Sequence, residues 1–154
     1  MNSLIIYHSG PSKNSEKIAV VLAQTLHAQL RTTAEVQPAD IDAMDLIGLG
    51  AGIYYGRHHR RLLECVERLP LDGKKVFMFS TSGAGIKAFM HAGLRRQLAR
   101  KHAVIIGEFA CKGFDDFGLL KLFGGINKGC PNEHECDSAR AFALALERKT
   151  ASRL

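Results

Sequence analysis

Leu4-Ile5-Ile6-Tyr7-His8-Ser9-Gly10-Pro11-Ser12-Lys13-Asn14-Ser15-Glu16-Lys17-Ile18-Ala19 passes from a short apolar run, through a loop of small residues, into a helical pattern. Ile18, Leu22, Leu26 and Leu30 repeat every four residues with Ala19 and Ala23 beside them, which marks one buried helical face. Strand, tight loop and helix recur along the rest of the chain. Thr33-Ala34-Glu35-Val36 reads as a weak strand stopped by Pro38. Leu46-Ile47-Gly48-Leu49-Gly50 reads as a buried strand, with Gly50 to Gly56 as its following loop. Leu62, Leu63, Val66 and Leu69 mark a second helix closed by Pro70, and Asp72-Gly73 is a turn signal.

Val76-Phe77-Met78-Phe79 is the most strand-like run, and Ser80 to Gly85 forms a small-residue loop after it. Phe89, Leu94 and Leu98 are expected to face one way on a third helix. Val104-Ile105-Ile106-Gly107-Glu108-Phe109 is the last strand, and Ala139, Phe142, Ala143 and Leu146 give the final helix. Five strands separated by helices predict a parallel sheet covered on both faces, with right-handed crossovers. Residues 112–131, rich in Gly, Phe and Lys, break the alternation and are expected to form a packed loop.

A chain of 154 residues suits one domain over 1–154, and 46% hydrophobic with 23% charged residues is the balance of an ordinary globular protein. No apolar run approaches the roughly 20 residues that span a bilayer. The first residues lack a basic segment and do not read as a signal peptide. A cytoplasmic protein is therefore expected. Cys65, Cys111, Cys130 and Cys136 follow neither a zinc spacing nor a CxxC pair, and read as reduced thiols.

The net charge of +6 is concentrated. Residues 57–101 hold eleven Lys and Arg against three Asp and Glu, whereas residues 102–154 hold seven of each. Such a stretch suits an acidic partner, an anionic small molecule or a solvated helix face. Nucleic acid fits less well, because the arginines are not interleaved with stacking aromatics.

Ligands of an open parallel sheet bind beyond the carboxyl ends of its strands. Three loops leave those ends. Ser9 to Ser15 offers hydroxyls and the backbone N–H groups of a helix start, which attract phosphate. Ile53-Tyr54-Tyr55-Gly56 offers two aromatics beside a glycine. Thr81-Ser82-Gly83-Ala84-Gly85 offers a polar backbone rim. Each alone is compatible with a tight turn; together they describe a nucleotide-like site with a flat ring. G-x-S-x-G is absent, which discounts a hydrolase built on Ser9 and His8. The Gly-Lys-Ser/Thr ending of a P-loop is absent as well.

These segments resemble flavodoxins. Tyr7-His8-Ser9 with Asn14-Ser15-Glu16-Lys17-Ile18-Ala19 is similar to the start of that family. Leu46 to Gly50 with Ile53-Tyr54-Tyr55-Gly56-Arg57-His58-His59 is similar to its third strand and flavin loop, and Phe79-Ser80-Thr81-Ser82-Gly83 to its fourth strand and second flavin loop. Gly113-Phe114-Asp115, Gly124 to Gly129 and Pro131-Asn132 resemble a subfamily of small flavodoxin-domain proteins. The resemblance implies a three-layer α/β sandwich, a five-stranded parallel sheet in the order 2-1-3-4-5, and FMN as cofactor.

It also implies roles. Ser9, Ser12, Asn14 and Ser15 would hold the FMN phosphate. Ile53, Tyr54, Tyr55 and Gly56 would flank the isoalloxazine ring, and the Gly56 peptide would turn to meet the reduced flavin. Thr81, Ser82 and Gly83 would line the other edge of the ring. The first loop departs from the family pattern by one residue. Pro11 has no N–H to donate, and Lys13 stands where glycine is common. A positive φ there would cost about 1 kcal/mol or more; alternatively the Lys13 ammonium adds a charged contact. His58 and His59 are expected to face solvent at a helix start. The implied function is electron transfer through bound FMN to a redox partner protein or small acceptor. A small FMN-dependent oxidoreductase, of quinone-reductase or protoporphyrinogen-oxidase type, and a binding module that has lost FMN are the alternatives.

Overall fold

Apolar runs without alternation build the centre of the sheet. β1 (Ser3–His8), β3 (Leu46–Tyr54) and β5 (Lys75–Ser82) are buried along nearly their whole length, as strands covered on both faces must be. With β2 (Gln29–Thr32) and β6 (Val104–Lys112) they form a parallel sheet in the order β2-β1-β3-β5-β6, and β4 (Arg57–His58) pairs antiparallel with the end of β3. The computed structural model describes residues 1–83, 88–113 and 131–152. α1 (Asn14–Leu26) and α4 (Glu133–Ala151) share a core with Ile5, Phe77 and Phe79 on one face. α2 (Arg60–Arg68) and α3 (Ala92–Arg100) share the other with Leu4, Ile47 and Met78. This is a three-layer α/β sandwich. The five parallel strands keep the expected order; the sheet gains a sixth strand, β4, whose two residues are too few to leave a periodic signal.

Several boundaries differ from expectation. α1 stops at Leu26, because His27 takes a left-handed conformation (φ 51°) and its N–H bonds to the Ala23 carbonyl. Leu30 lies on β2 opposite Ile5. It packs into the same layer as α1, so the spacing of four runs across the helix end without being helical there. The weak strand expected at 33–36 is instead Gln29–Thr32, immediately before it in the chain; Pro38 does not end a strand but opens a 3-10 turn, Pro38–Ile41. β3 and β5 run on into the segments expected to be loops. Phe89 sits on a 3-10 turn, Ala88–His91, and is 65% exposed rather than in the core. Residues 114–130, including Cys130 and most of the expected packed loop, lie outside the described residues, as do Ala84 and Gly85.

The contact between β3 and β5 is set by two glycines. Gly48 lies opposite Phe77 and Gly50 opposite Phe79. A Cβ on Gly48 would stand 2.4 Å from Phe77 Cζ, and one on Gly50 would stand 2.2 Å from Phe79 Cε2. The two rings thus occupy the space that side chains at 48 and 50 would fill. On the far side, the β5–β6 register slips between Val76 and Phe77, which brings Gly107 opposite Phe77. A Cβ there would come within 2.9 Å of Leu146 Cδ2 and 3.1 Å of Phe142, so this glycine admits α4 to the sheet.

Neither a ring wedged between layers nor a central strand can move aside cheaply. Gly50→Ala should lower the free energy of unfolding by about 3 kcal/mol, the upper range for overpacking a core. Gly93→Ala, on α3 with nothing within 4 Å of the added methyl, should raise it by about 0.5 kcal/mol through helix propensity. Urea unfolding of both variants beside the wild type checks the contrast. Equal effects would mean that the glycine–phenylalanine contact does not constrain the sheet.

Candidate functional site

The carboxyl ends of β1, β3 and β5 open on one cavity of about 600 Å³. Ser9, Ser12, Asn14 and Ser15 line it from the first loop, Ile53, Tyr54 and Tyr55 from the end of β3, and Thr81, Ser82 and Gly83 from the end of β5. Lys13 and Gly56 shape its loops without lining it. His8, Gly10, Pro11 and Gly52 also line it; only their chain neighbours among the chosen residues could have pointed to them.

The first loop is a turn followed by a helix whose N-cap residue makes no side-chain cap bond. Lys13 N–H bonds to the Gly10 carbonyl at 3.0 Å, closing a four-residue turn with Pro11 at the position where its fixed φ is favourable. Proline here builds the loop instead of donating to a ligand. Lys13 has φ 58° and ψ 25°, and no side chain caps α1 at this position. Ser9 Oγ accepts from the Glu16 N–H at 3.2 Å. The Ser15 and Thr81 hydroxyls meet at 3.0 Å in a buried hydrogen bond, which ties the first loop to β5.

The second segment is a tight hairpin. Tyr54 pairs with Arg57 and Ile53 with His58. The two residues of the turn both have positive φ, 51° at Tyr55 and 77° at Gly56, the signature of a type I′ turn. Such turns usually carry Asn-Gly, so Tyr-Gly hides the hairpin from sequence. The Tyr54 ring covers the glycines beneath it: its hydroxyl is 3.1 Å from a Cβ position on Gly10, and its Cε2 is 3.1 Å from one on Gly52. Tyr55 is 87% exposed at the tip. His59 caps α2 by accepting the Arg61 N–H on Nδ1 at 3.1 Å. Its ring lies 4.2 Å from that of His8 and edge-on to Tyr54 at 5.0 Å.

His58 does not face solvent. It is 1% exposed; its Nε2 lies 3.1 Å from the Phe79 carbonyl oxygen, and its ring lies 4.8 Å from that of His91. Antiparallel pairing turns alternate residues of β4 inward, so Arg57 is out and His58 in. His91 is itself buried, with Nε2 2.7 Å from Ser80 Oγ and Nδ1 3.3 Å from Glu108 Oε2. Arg95 holds Glu108 through two bonds of 2.7 Å. Burial, and then the neighbouring His91, push the His58 pKa down to about 4. His8 is lowered by burial, His59 and Arg61, and His59 by burial and the arginines beside it. The histidines around the cavity are thus held toward their neutral forms.

The basic stretch is not one surface. Arg68 donates to the carbonyls of Val36 and Thr33, Lys74 to those of Asp42 and Met44, and Lys101 to that of Glu67, while Arg95 is bound to Glu108. Arg57, Arg60 and Arg61 stand on the hairpin and the start of α2, beside the cavity, all exposed. Arg60 pairs with Glu64 at 3.3 Å in the open. No helix among the described residues is long and apolar enough to cross a membrane.

Residues 4–115 match the model of the flavodoxin domain family. The chain is 42% identical over 147 residues to an uncharacterized protein of Methanocaldococcus jannaschii, covering 95% of this chain and 98% of that one. Among solved structures, oxidised flavodoxin 2 from Bacillus cereus superposes with a TM-score of 0.69 at 19% identity, covering 97% of this chain and 99% of that one. Rubredoxin:oxygen oxidoreductase from Desulfovibrio gigas superposes with a TM-score of 0.73 at 13% identity. That alignment covers 99% of this chain but 37% of the larger protein. At these identities the two structures speak for the fold alone.

The depressed histidine has a measurable sign. In the unfolded chain a histidine binds its proton near pH 6.5, whereas folded His58 resists it down to about 4. Stability is therefore full above pH 6.5 and falls as pH drops from 6.5 toward 4, by up to about 3 kcal/mol from this residue. His91, lowered chiefly by burial, adds to the same trend. Glu108, held below the usual carboxylate range by Arg95, adds its loss only as pH falls below about 4.5. Urea unfolding at intervals from pH 7.5 to 4.5 should show this slope, and His58→Gln should flatten it.

Proposed function

We propose that this chain, which belongs to the flavodoxin domain family, binds FMN in the cavity above β1, β3 and β5 and transfers electrons through it. The observation that carries the reading is the convergence of three unlike loops on one cavity: a hydroxyl-rich helix start, an aromatic hairpin and a polar strand end. The volume lies within the roughly 300–1,000 Å³ common for small-molecule sites. The N-terminus of α1, where the N-cap residue Lys13 makes no side-chain cap bond, suits a phosphate, because the first N–H groups of a helix and its dipole favour an anion. Ser9, Ser12, Asn14 and Ser15 would hold that phosphate. Tyr54 and Tyr55 would stand against the flat ring, with Ile53. Thr81, Ser82 and Gly83 would meet its polar edge.

When bound, FMN supplies the electron storage that no side chain here can provide. The protein's share is binding, orientation and exclusion of water. The buried Ser15–Thr81 bond fixes the distance between the phosphate loop and the β5 rim. The left-handed Lys13 sets the angle at which α1 leaves that loop. The hairpin holds one tyrosine over the cavity and another at its mouth.

The cavity mouth also suits a docking partner. Tyr55 and Phe89 are exposed, and Phe89 Cε2 lies 3.7 Å from a Cβ position on Gly56. Arg57, Arg60 and Arg61 flank this apolar pair, so the fitting redox partner, or small acceptor, is acidic.

Two measurements test the reading. Protein reconstituted with flavin should bind FMN more tightly than riboflavin by calorimetry, and Ser12→Ala should narrow the difference. Equal affinity for the two would remove the phosphate role from residues 9–15, and no uptake of either would leave a flavodoxin fold without its cofactor. Electron transfer to an acidic protein acceptor should slow as salt rises, because exposed charges are screened beyond about 8–10 Å at physiological ionic strength. Arg57→Glu should slow it at low salt. A rate indifferent to both would rule out the docking role for this rim.

A further inference from the structure

The hairpin over the cavity is held by very little ladder. β4 is two residues long, and its two pairs with β3 must support a turn in which Tyr55, a bulky residue, sits at φ 51°. Left-handed backbone costs a non-glycine residue about 1–2 kcal/mol, and a two-residue ladder supplies little to offset that. His59 N–H adds one bond, to the Gly52 carbonyl at 3.0 Å. Only one side chain of the hairpin past the turn is fully buried, that of His58.

We propose that His58 is a positioning residue, a clamp that fixes the Tyr54-Tyr55-Gly56-Arg57 turn to the sheet and so sets the height of the aromatic wall above the cavity. Its ring reaches across to β5, where its polar partner among the described residues is the Phe79 carbonyl. A carbonyl can only accept, so Nε2 carries the proton and donates. Nδ1 is then a bare lone pair, and it is buried with no hydrogen-bond partner among the described residues.

The surroundings enforce this form. His91 packs on the ring. His91 is held toward its neutral form by burial; in that form Nδ1–H donates to Glu108 and Nε2 accepts from the Ser80 hydroxyl. The carboxylate that could balance a charge on either ring is already held by Arg95. Among the described residues, His91, Glu108 and Arg95 are the charged or titratable groups on this side, from the 3-10 turn, β6 and α3. The clamp is thus a neutral donor of fixed tautomer, braced from behind by a second histidine.

This makes a prediction that a mere filler of core volume would not. His58→Gln keeps an N–H donor in reach of the Phe79 carbonyl; His58→Leu keeps apolar bulk and loses the donor. In the full chain without flavin, amide exchange at Arg57 and His59, whose N–H groups close the hairpin, should speed about tenfold in His58→Leu, a change worth about 1.4 kcal/mol. In His58→Gln it should stay within about threefold. The FMN affinity should follow the same order.

The FMN arm rests on the function proposed above, but the exchange arm does not. A wild type that takes up no FMN would sink that function while the exchange rates still decide the clamp. Hairpin protection that is equal in wild type and His58→Leu would overturn the proposal, as would His58→Gln behaving like His58→Leu. Should the leucine variant fail to fold, the wild type's own histidine nitrogen spectrum decides. A protonated Nε2 and bare Nδ1 persisting from pH 7.5 to 5.5 are expected; a proton on Nδ1 would overturn the clamp.

Discussion

Everything at the carboxyl end of the sheet depends on two phenylalanines lying where two glycines leave room for them. Gly48 and Gly50 accept the rings of Phe77 and Phe79 across the β3–β5 ladder. A sheet one register out of step would set those rings against Leu49 or Ala51. The hydrophobic effect favours burying both rings, but close packing decides the register. That register carries forward. Gly52 lies opposite Thr81 in the same ladder, so the foot of the hairpin and the strand end that meets Ser15 are placed by the same fit. The site has no scaffold separate from the core.

Two of the four non-glycine residues at positive φ among the described residues stand at the cavity loops; the other two, His27 and His102, follow helix ends. Lys13 and Tyr55 both sit at positive φ without being glycine. Each lies where a loop must reverse within two residues and still present its side chain or helix start to the cavity. Such residues persist when their surroundings over-determine them. For Lys13 the surroundings are the Gly10 turn and a thirteen-residue helix; for Tyr55 they are the short ladder, Gly56 and the buried imidazole two positions past Gly56. The chain tolerates locally poor residues because long-range bonds, such as Ser15 to Thr81 and His58 to Phe79, close over the loops.

The layered fold could be read from sequence because buried strands are continuous apolar runs and amphipathic helices repeat. Ile18 and Leu22, or Val76 to Phe79, admit no other reading. The loops at the strand ends were legible from composition, and the structure brings ten of the chosen residues around one cavity. What failed was whatever depends on a local conformation that residue type does not announce. His27 ends α1 in a left-handed turn without a glycine, so Leu30 looked helical. Tyr-Gly forms a turn that Asn-Gly would have advertised. His58 looked like surface because its neighbours Arg57, His59, Arg60 and Arg61 are polar, yet the antiparallel return of β4 turns it inward. Phe89 looked like core, since nothing in its spacing reveals the 3-10 turn that lifts it out. These are failures of period reading where the period changes within three or four residues.

The chain contains three tyrosines and no tryptophan. Tyr7 is buried on β1, whereas Tyr54 and Tyr55 stand at the cavity. Two of the three intrinsic fluorophores therefore lie on the wall of one site, and nothing brighter masks them. Any occupant that absorbs in the near ultraviolet would drain their emission by energy transfer. The protein thus carries its own optical gauge of occupancy, requiring no label and no engineered tryptophan.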